Sequence, residues 1–471
     1  MQNGSTRILS SSQGTPIGPA YGFLRAIWAA LGGEERWHSG VAFTGEGDLP
    51  SLFAVSDLAA ASIGGAALAV AELVGTTASQ RPAVSIDRRL ASFWFAMSIK
   101  PEGWALPPLW DPIAGDYATA DGWIRLHTNA PRHRDAALDV LGVPADKDAV
   151  SAVVGHWQAD ALEAAVIARG GCAGAMRSMA AWGEHPQGKA VAAEPLVWSE
   201  ATESTTHERR AFDPARPLAG VRVLDLTRIL AGPVATRFLA GFGADVLRID
   251  PPGWDEPGVA PEVTLGKRCA RLDLRNPGDR DHLIELLADA DVIVHGYRPG
   301  ALEQLGFGGE MTQRVRPGII DVSLDAYGWT GPWAGRRGFD SIVQMSSGIA
   351  HEGMIRFGKV RPTPLPVQAL DHVTGYIMAA AAVRGLTGRM LSGVGSMTRV
   401  SLARTAALLT GFALPEGARP LGKPEISDFD ERIEATAWGP ARRMRPPVAI
   451  DGAAMQWDRP ATALGSSLPS W

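Results

Sequence analysis

Apolar and polar positions change period several times along this chain, and the changes mark its elements. The clearest run covers residues 217–250, PLAGVRVLDLTRILAGPVATRFLAGFGADVLRID. The apolar block 221–226 predicts a buried strand, Gly232-Pro233 a turn, and the next residues an amphipathic helix; 245–249 predicts a second strand, closed by Asp250. This is the opening of a parallel βαβ unit, in which the helix N-terminus is suited to receive phosphate. Residues 117–142 instead predict a hairpin with Asp121-Gly122 as its turn, followed by a helix. Residues 372–386 are helical in pattern, and Pro364 and Pro366 stop any earlier helix. The stretch 58–74 is apolar enough to suggest a membrane span. It is short, Ala- and Gly-rich and carries Glu72, so a buried core helix and no membrane partner are expected.

Three breaks interrupt these patterns. Residues 101–112 are rich in Pro and Trp, 199–216 are polar and read as a linker, and after about residue 410 the periodicity fades into a Pro- and Gly-rich tail. Two blocks also recur in the same order. Residues 54–75 line up with 368–388, placing Asp57 opposite Asp371, and 84–91 match 400–407. A partial duplication is the expected cause, ahead of a chance likeness between two Ala-rich helices.

Composition narrows the class. At 471 residues the chain exceeds one ordinary core, so two or three domains are expected. Apolar residues make up 46% and charged residues 20%, a globular balance without a disorder signature. The net charge of −5 and the lack of a dense Lys/Arg cluster argue against nucleic acid as a partner. Cys172 and Cys269 allow no disulfide framework, and the polar N-terminus lacks the order of a signal peptide, so a cytoplasmic location is expected. His127, His133, His156 and His185 show no metal-ligand spacing, and no metal is expected.

Asp371 is the foremost candidate for chemistry. It falls at or near the N-cap of its helix, where Asp is favoured for capping alone. The positive helix end also favours an ionised carboxylate, the form a nucleophile needs. The surrounding motifs add to this. LAGVRVLDLTRILAGP, GADVLRID, RLDLRNPGDR, VIVHGYRPGALEQLG, YGWTGPWAGRRGFDSIVQMSSG and ALDHVTGY resemble, in order and spacing, the class III coenzyme A transferases of the formyl-CoA and carnitine-CoA transferase type.

The resemblance implies an enzyme that moves coenzyme A from an acyl-CoA donor to a carboxylic-acid acceptor, with no permanently bound cofactor. Asp371, in a D-x-x-x-G context completed by Gly375, would be the covalent nucleophile. CoA contacts are implied at Leu230 and Ala231, at 272–275 (Leu272, and Arg275 as a cation), at Gly296, Tyr297 and Arg298, and at Arg337, Gly338, Phe339 and Asp340. Pro251 and Gln304 depart from the pattern, standing where some members carry a CoA-binding Arg. Backbone amides near Ser347-Gly348 or Gly353 are candidate oxyanion donors. Asp57 is expected to be structural, because Ala61 and Ser62 replace the Gly and aromatic that follow Asp371.

The resemblance also implies an α/β fold with a Rossmann-like parallel sheet and a smaller α/β domain. The expected organisation is 1–110, a partial, degenerate copy of the large domain's helical region; 111–198, the small domain; 199–216, a linker; 217–410, the CoA-binding large domain; and 411–471, a tail returning to it. Family members form interlocked dimers, so a homodimer or a single-chain pseudo-dimer is expected. The small domain should close over Asp371, since the intermediates survive only away from water.

Other readings compete. A catalytically impaired CoA-binding protein would explain the permuted layout and the lack of a Gly-rich covering loop. A 2-methylacyl-CoA racemase needs a base on each face of the α-carbon, and Phe339 stands where those enzymes carry a His. A nicotinamide dehydrogenase would use Asp250 as its ribose-binding acid, but no G-x-G-x-x-G follows the first strand.

Overall fold

The computed structural model describes residues 18–38, 40–76, 81–204, 212–412 and 417–471. Seven strands form the central sheet: β1 (Trp198–Ser204), β2 (Arg222–Leu226), β3 (Asp245–Asp250), β4 (Lys267–Arg271), β5 (Val292–His295), β6 (Ile320–Asp325) and β7 (Val394–Ser401). Their spatial order is β4-β3-β2-β5-β6-β7-β1. Strands β2 to β7 run parallel, and β1 joins β7 antiparallel. Val223, Leu224, Val246, Leu247, Val292 and Val294 are all buried, as a sheet covered on both faces by helices requires. The parallel part has the doubly wound Rossmann order. Chain direction across the sheet reverses between β2 and β5, so the loops leaving their C-terminal ends diverge and open a crevice.

β1 corrects the reading of 199–216 as a linker. Its first residues form the sheet's edge, with Ser199 opposite Thr398 and Glu200 opposite Met397. An edge strand needs no strong apolar alternation, so the sequence signal was weak. Residues 205–211 of that stretch lie outside the described residues.

The helix Val55–Gly75 has the length and hydropathy of a membrane span, yet 89% of its apolar window is buried within the protein. It packs between the helices Pro19–Ala30 and Ala369–Ser392. Glu72 meets Arg384 at 3.0 Å, so its charge is paired. The helices aligned as repeats therefore share an interface. Each is followed by a strand and a short helix capped by the strand's last side chain: Asp87 accepts from the Leu90 amide, and Ser401 from the Arg404 amide.

The tail serves both regions. Its strand Val448–Ile450 pairs with Val84–Asp87, which in turn pairs with Val41–Thr44. Further on, Trp457 stacks on Trp94 at 5.6 Å and donates to the Arg237 carbonyl. The region of faded periodicity holds a hairpin, Phe429–Thr436 with Gly439–Met444, extended by Ile99–Pro101.

Residues 111–198 contain an antiparallel sheet of Gly115–Ala118, Trp123–Leu126 and Ala173–Ala175, with the helix Pro131–Leu141 beside it. Ile113, Tyr117, Ile124, Leu126, Val150 and Leu162 form a core of its own. This unit sits directly on the helix Asp340–Ser346. The Arg177 amide donates to the Met345 carbonyl at 3.0 Å, and Gly174 is so close that an added Cβ would lie 2.8 Å from Ile342. Glu163 binds Arg177 at 2.9 Å and Arg336 at 3.0 Å, tying the two parts electrostatically.

Candidate active site

The crevice at the switch point holds a cavity of about 330 Å³. One wall is the loop leaving β2, residues 227–232. Ile229 there has φ +67°, a left-handed conformation that a β-branched residue adopts only under constraint. Glu256 supplies the constraint, accepting from the Ile229 amide at 2.8 Å and from the Trp254 indole at 2.7 Å. Arg248 anchors Glu256 at 2.9 Å and also donates to Asp250 at 2.9 and 3.0 Å. Asp250 is thus fully buried and turned inward, so it cannot meet a ribose as the dehydrogenase reading requires. Helix Ala231–Gly241 begins at this loop with no side-chain cap. The Ala231 and Gly232 amides find no acceptor among the described residues, which leaves a positive helix end at the cavity.

Arginines line the rest. Arg228 lies 5.2 Å from the ring centroids of both Trp254 and Tyr297 and donates to the Tyr297 hydroxyl at 2.9 Å. Arg132, Arg298 and Arg337 border the same cavity. None of these arginines has a carboxylate partner within salt-bridge distance among the described residues. Burial, and after it their mutual repulsion, lowers the pKa of Arg132 and of Arg337. A group of unpaired cations of this kind calls for an anionic ligand.

Asp371 reaches the cavity from the first turn of helix Ala369–Ser392. It is the third helical residue, and Gln368 holds the N-cap position, which corrects the expected capping role. The residue is only 7% exposed, and its carboxylate accepts no protein hydrogen bond among the described residues. Its amide donates to Asp340 Oδ2 at 3.0 Å. The other oxygen of Asp340 accepts from Gln344, whose carbonyl accepts from the Leu365 amide at 2.7 Å. Burial raises the Asp371 pKa well above the carboxylate range, and the neighbouring Asp340 carboxyl adds to the rise. Asp340 is itself pushed up to about 6 by burial. Lost hydration and a like charge thus act against the helix end, which by itself favours the ionised form.

Gly375 explains the D-x-x-x-G spacing. One turn after Asp371, it lets its helix touch helix Ala231–Gly241; an added Cβ would lie 2.3 Å from the Ala231 carbonyl oxygen. The nucleophile candidate and the anion loop are thereby held together.

Leu230, Ala231, Gly296, Tyr297, Arg298, Arg337, Gly338 and Phe339 line one cavity with Asp371. Leu272, Arg275 and Asp340 do not. Leu272 is buried in an apolar cluster with Leu224, Leu226 and Ile249. The Arg275 side chain is 81% exposed and folds back on Asp273 at 2.8 Å. Asp340 stands behind Asp371 as the support of its helix. Ser347, Gly348 and Gly353 also lie outside the cavity, and the Ser347 amide is spent on the Val343 carbonyl at 2.8 Å, which removes the expected oxyanion donors. Asp57 is held by Arg88 at 2.8 Å, away from the cavity. Sequence reasoning missed Arg132, His133, Arg228 and Trp254. Arg228 lies inside a recognised motif and could have been found; Arg132 and His133 arrive from another domain, with no local signal.

Phe339 stacks on His127 at 3.7 Å and meets His133 edge-on at 5.9 Å. Burial lowers the pKa of His127 to about 3 and of His133 to about 4. A larger cavity of about 1010 Å³, bordered by residues 217–222, Asp289 and Arg389, contains none of the residues named for the site. It opens by the N-terminal ends of β2 and β3, the end opposite to that where doubly wound sheets bind ligands. Among the described residues no group of three or more His, Cys, Asp or Glu could hold a metal ion.

Residues 218–437 match the sequence model of CoA-transferase family III. It is 32% identical over 204 residues to a probable fatty acyl-CoA transferase of Mycobacterium tuberculosis, covering 40% of this chain and 51% of that protein. It is 37% identical over 197 residues to the succinyl-CoA:glutarate CoA-transferase of Mus musculus, covering 39% and 44%. An acyl-CoA transferase of Gibberella moniliformis is 28% identical over 411 residues, 76% of this chain and 71% of that protein. The chain thus spans about half the length of the first two of these relatives.

Proposed function

We propose that this chain transfers coenzyme A between an acyl-CoA thioester and a carboxylic acid through a covalent intermediate on Asp371. The observation that carries the proposal is the Asp371 carboxyl: buried, without a donor among the described residues, and facing a cavity bordered by arginines that have no carboxylate partner among those residues. In the ionised form it attacks the thioester carbonyl. The C–S bond breaks, giving an acyl-aspartyl anhydride and CoA thiolate. The thiolate attacks the aspartyl carbonyl and releases the donor acid, leaving an aspartyl-CoA thioester. The acceptor carboxylate attacks that thioester to form a mixed anhydride and free the thiolate, which then attacks the acceptor's carbonyl. The new acyl-CoA leaves, and Asp371 is regenerated.

The proposal also explains the surroundings. Arginines and the helix end at Ala231 suit the phosphates of CoA, while residues 111–198 of the same chain border the cavity and limit water. Mass spectrometry of the protein mixed with an acyl-CoA and quenched with hydroxylamine tests the step. A modified peptide containing Asp371, absent in Asp371→Asn together with exchange, is the expected result. Near-normal exchange by Asp371→Asn would refute the mechanism. CoA binding without adduct or exchange across a panel of acyl-CoAs and acids would favour the binding-protein alternative.

A further inference from the structure

The helix Pro131–Leu141 belongs to the small domain and lies outside the motifs of the CoA-binding half. Its first turn nevertheless borders the cavity through Arg132 and His133. The N-cap residue Ala130 offers no side-chain oxygen, and the Arg132 amide finds no acceptor among the described residues. Arg134, one residue beyond His133, pairs with Asp111 at 3.6 Å; Arg132 has no such partner. His133 is 2% exposed, yet neither ring nitrogen has a hydrogen-bond partner among the described residues. A buried imidazole with both nitrogens unused is rare in a finished protein interior, and here it lines a cavity. The burial that holds its pKa near 4 keeps it neutral, with one N–H to donate.

We infer that this first turn is an oxyanion-recognition edge of the site, in which Arg132 and His133 together grip a phosphate or carboxylate group of the ligand. The inference rests on the transferase proposal only in taking CoA and an organic acid as the ligands. Arg132 supplies charge, the His133 N–H supplies direction, and the unpaired amide adds the positive end of the helix. The edge also gives the small domain a direct part in recognition, beyond covering the cleft.

Arg132→Gln and His133→Phe test it; phenylalanine keeps the ring that meets Phe339 and removes the N–H. Intrinsic tryptophan fluorescence would follow titration with CoA and with pantetheine, which lacks the phosphates, and exchange assays would give KM for the acid. Each variant is expected to weaken one of these by about tenfold or more, the size of one charge-assisted hydrogen bond. Loss of CoA affinity with pantetheine unaffected assigns the edge to phosphate. A raised acid KM at unchanged CoA affinity assigns it to carboxylate. Wild-type values for both variants, or equal losses with CoA and pantetheine, would overturn the inference. The titrations need no turnover. A wild-type protein that binds CoA without exchanging it refutes the transferase proposal and leaves the edge to the variants; one that binds no CoA refutes both.

Discussion

The Asp371 carboxyl lies in a place that disfavours its charge, and the pH dependence of the reaction should reveal it. Its pKa is raised by burial first and by Asp340 second, so exchange should rise with pH through a threshold well above the ordinary carboxylate range. Asp340→Asn removes the like charge while keeping a carbonyl oxygen for the Asp371 amide. The acid limb of the pH–rate profile should move to lower pH, and an unmoved limb would show that burial alone sets the threshold. The linked effect on stability has the opposite sense. A carboxyl with a raised folded pKa stabilises the fold below its unfolded pKa, and that contribution is lost as pH rises through the folded value, about 6 for Asp340. Asp57 offers the contrast, because Arg88 holds it and Arg88 also pairs with Asp48. Asp57→Ala should cost about 1.5–3 kcal/mol of stability in urea unfolding, the loss of a hydrogen bond to a charged group, and leave exchange largely intact.

At the scale of elements, the crossing of helices Ala231–Gly241 and Ala369–Ser392 determines where Asp371 sits relative to the loop leaving β2. Gly375→Ala would press a methyl group against the Ala231 carbonyl and Val234. Overpacking of this kind costs about 1–3 kcal/mol, and the displaced loop should raise the KM for acyl-CoA more than it lowers kcat. A loss of stability with unchanged KM would mean that the loop yields without consequence. The position aligned with Gly375 in the first helix is Ala61, which is buried and does not line the site cavity, so the two helices are similar in pattern but differ in their relation to the site. The βαβ opening, the hairpin near Asp121-Gly122 and the helix after Asp371 were legible because each buries a continuous or periodic apolar face. The edge strand β1 and the hairpin Phe429–Thr436 with Gly439–Met444 were not, because polar strands paired through their backbones leave little period in the side chains.

For the whole molecule, the small domain and the sheet's loops are joined through the carboxylate of Glu163. Glu163 is shared by Arg177 of its own domain and Arg336 at the cavity, and both contacts are largely buried. Glu163→Ala would leave both cations without that carboxylate. We expect a loss of about 3–5 kcal/mol and a higher ratio of acyl-CoA hydrolysis to transfer, as the loosened lid admits water. A stable variant with an unchanged ratio would show that the cleft is closed by packing alone. The sequence by itself determined the parallel sheet and the loop that opens its first helix, and it singled out Asp371 as a candidate, because these depend on local periodicity and on motifs whose residues are neighbours in the chain. Only the tertiary structure decided that Arg275 faces solvent, that Asp250 is locked on Arg248, and that Arg132 and His133 border the cavity from another domain. It also decided that burial and the nearby Asp340 raise the Asp371 pKa. Burial and the approach of charges from distant segments set these outcomes, and neither leaves a periodic trace in the chain.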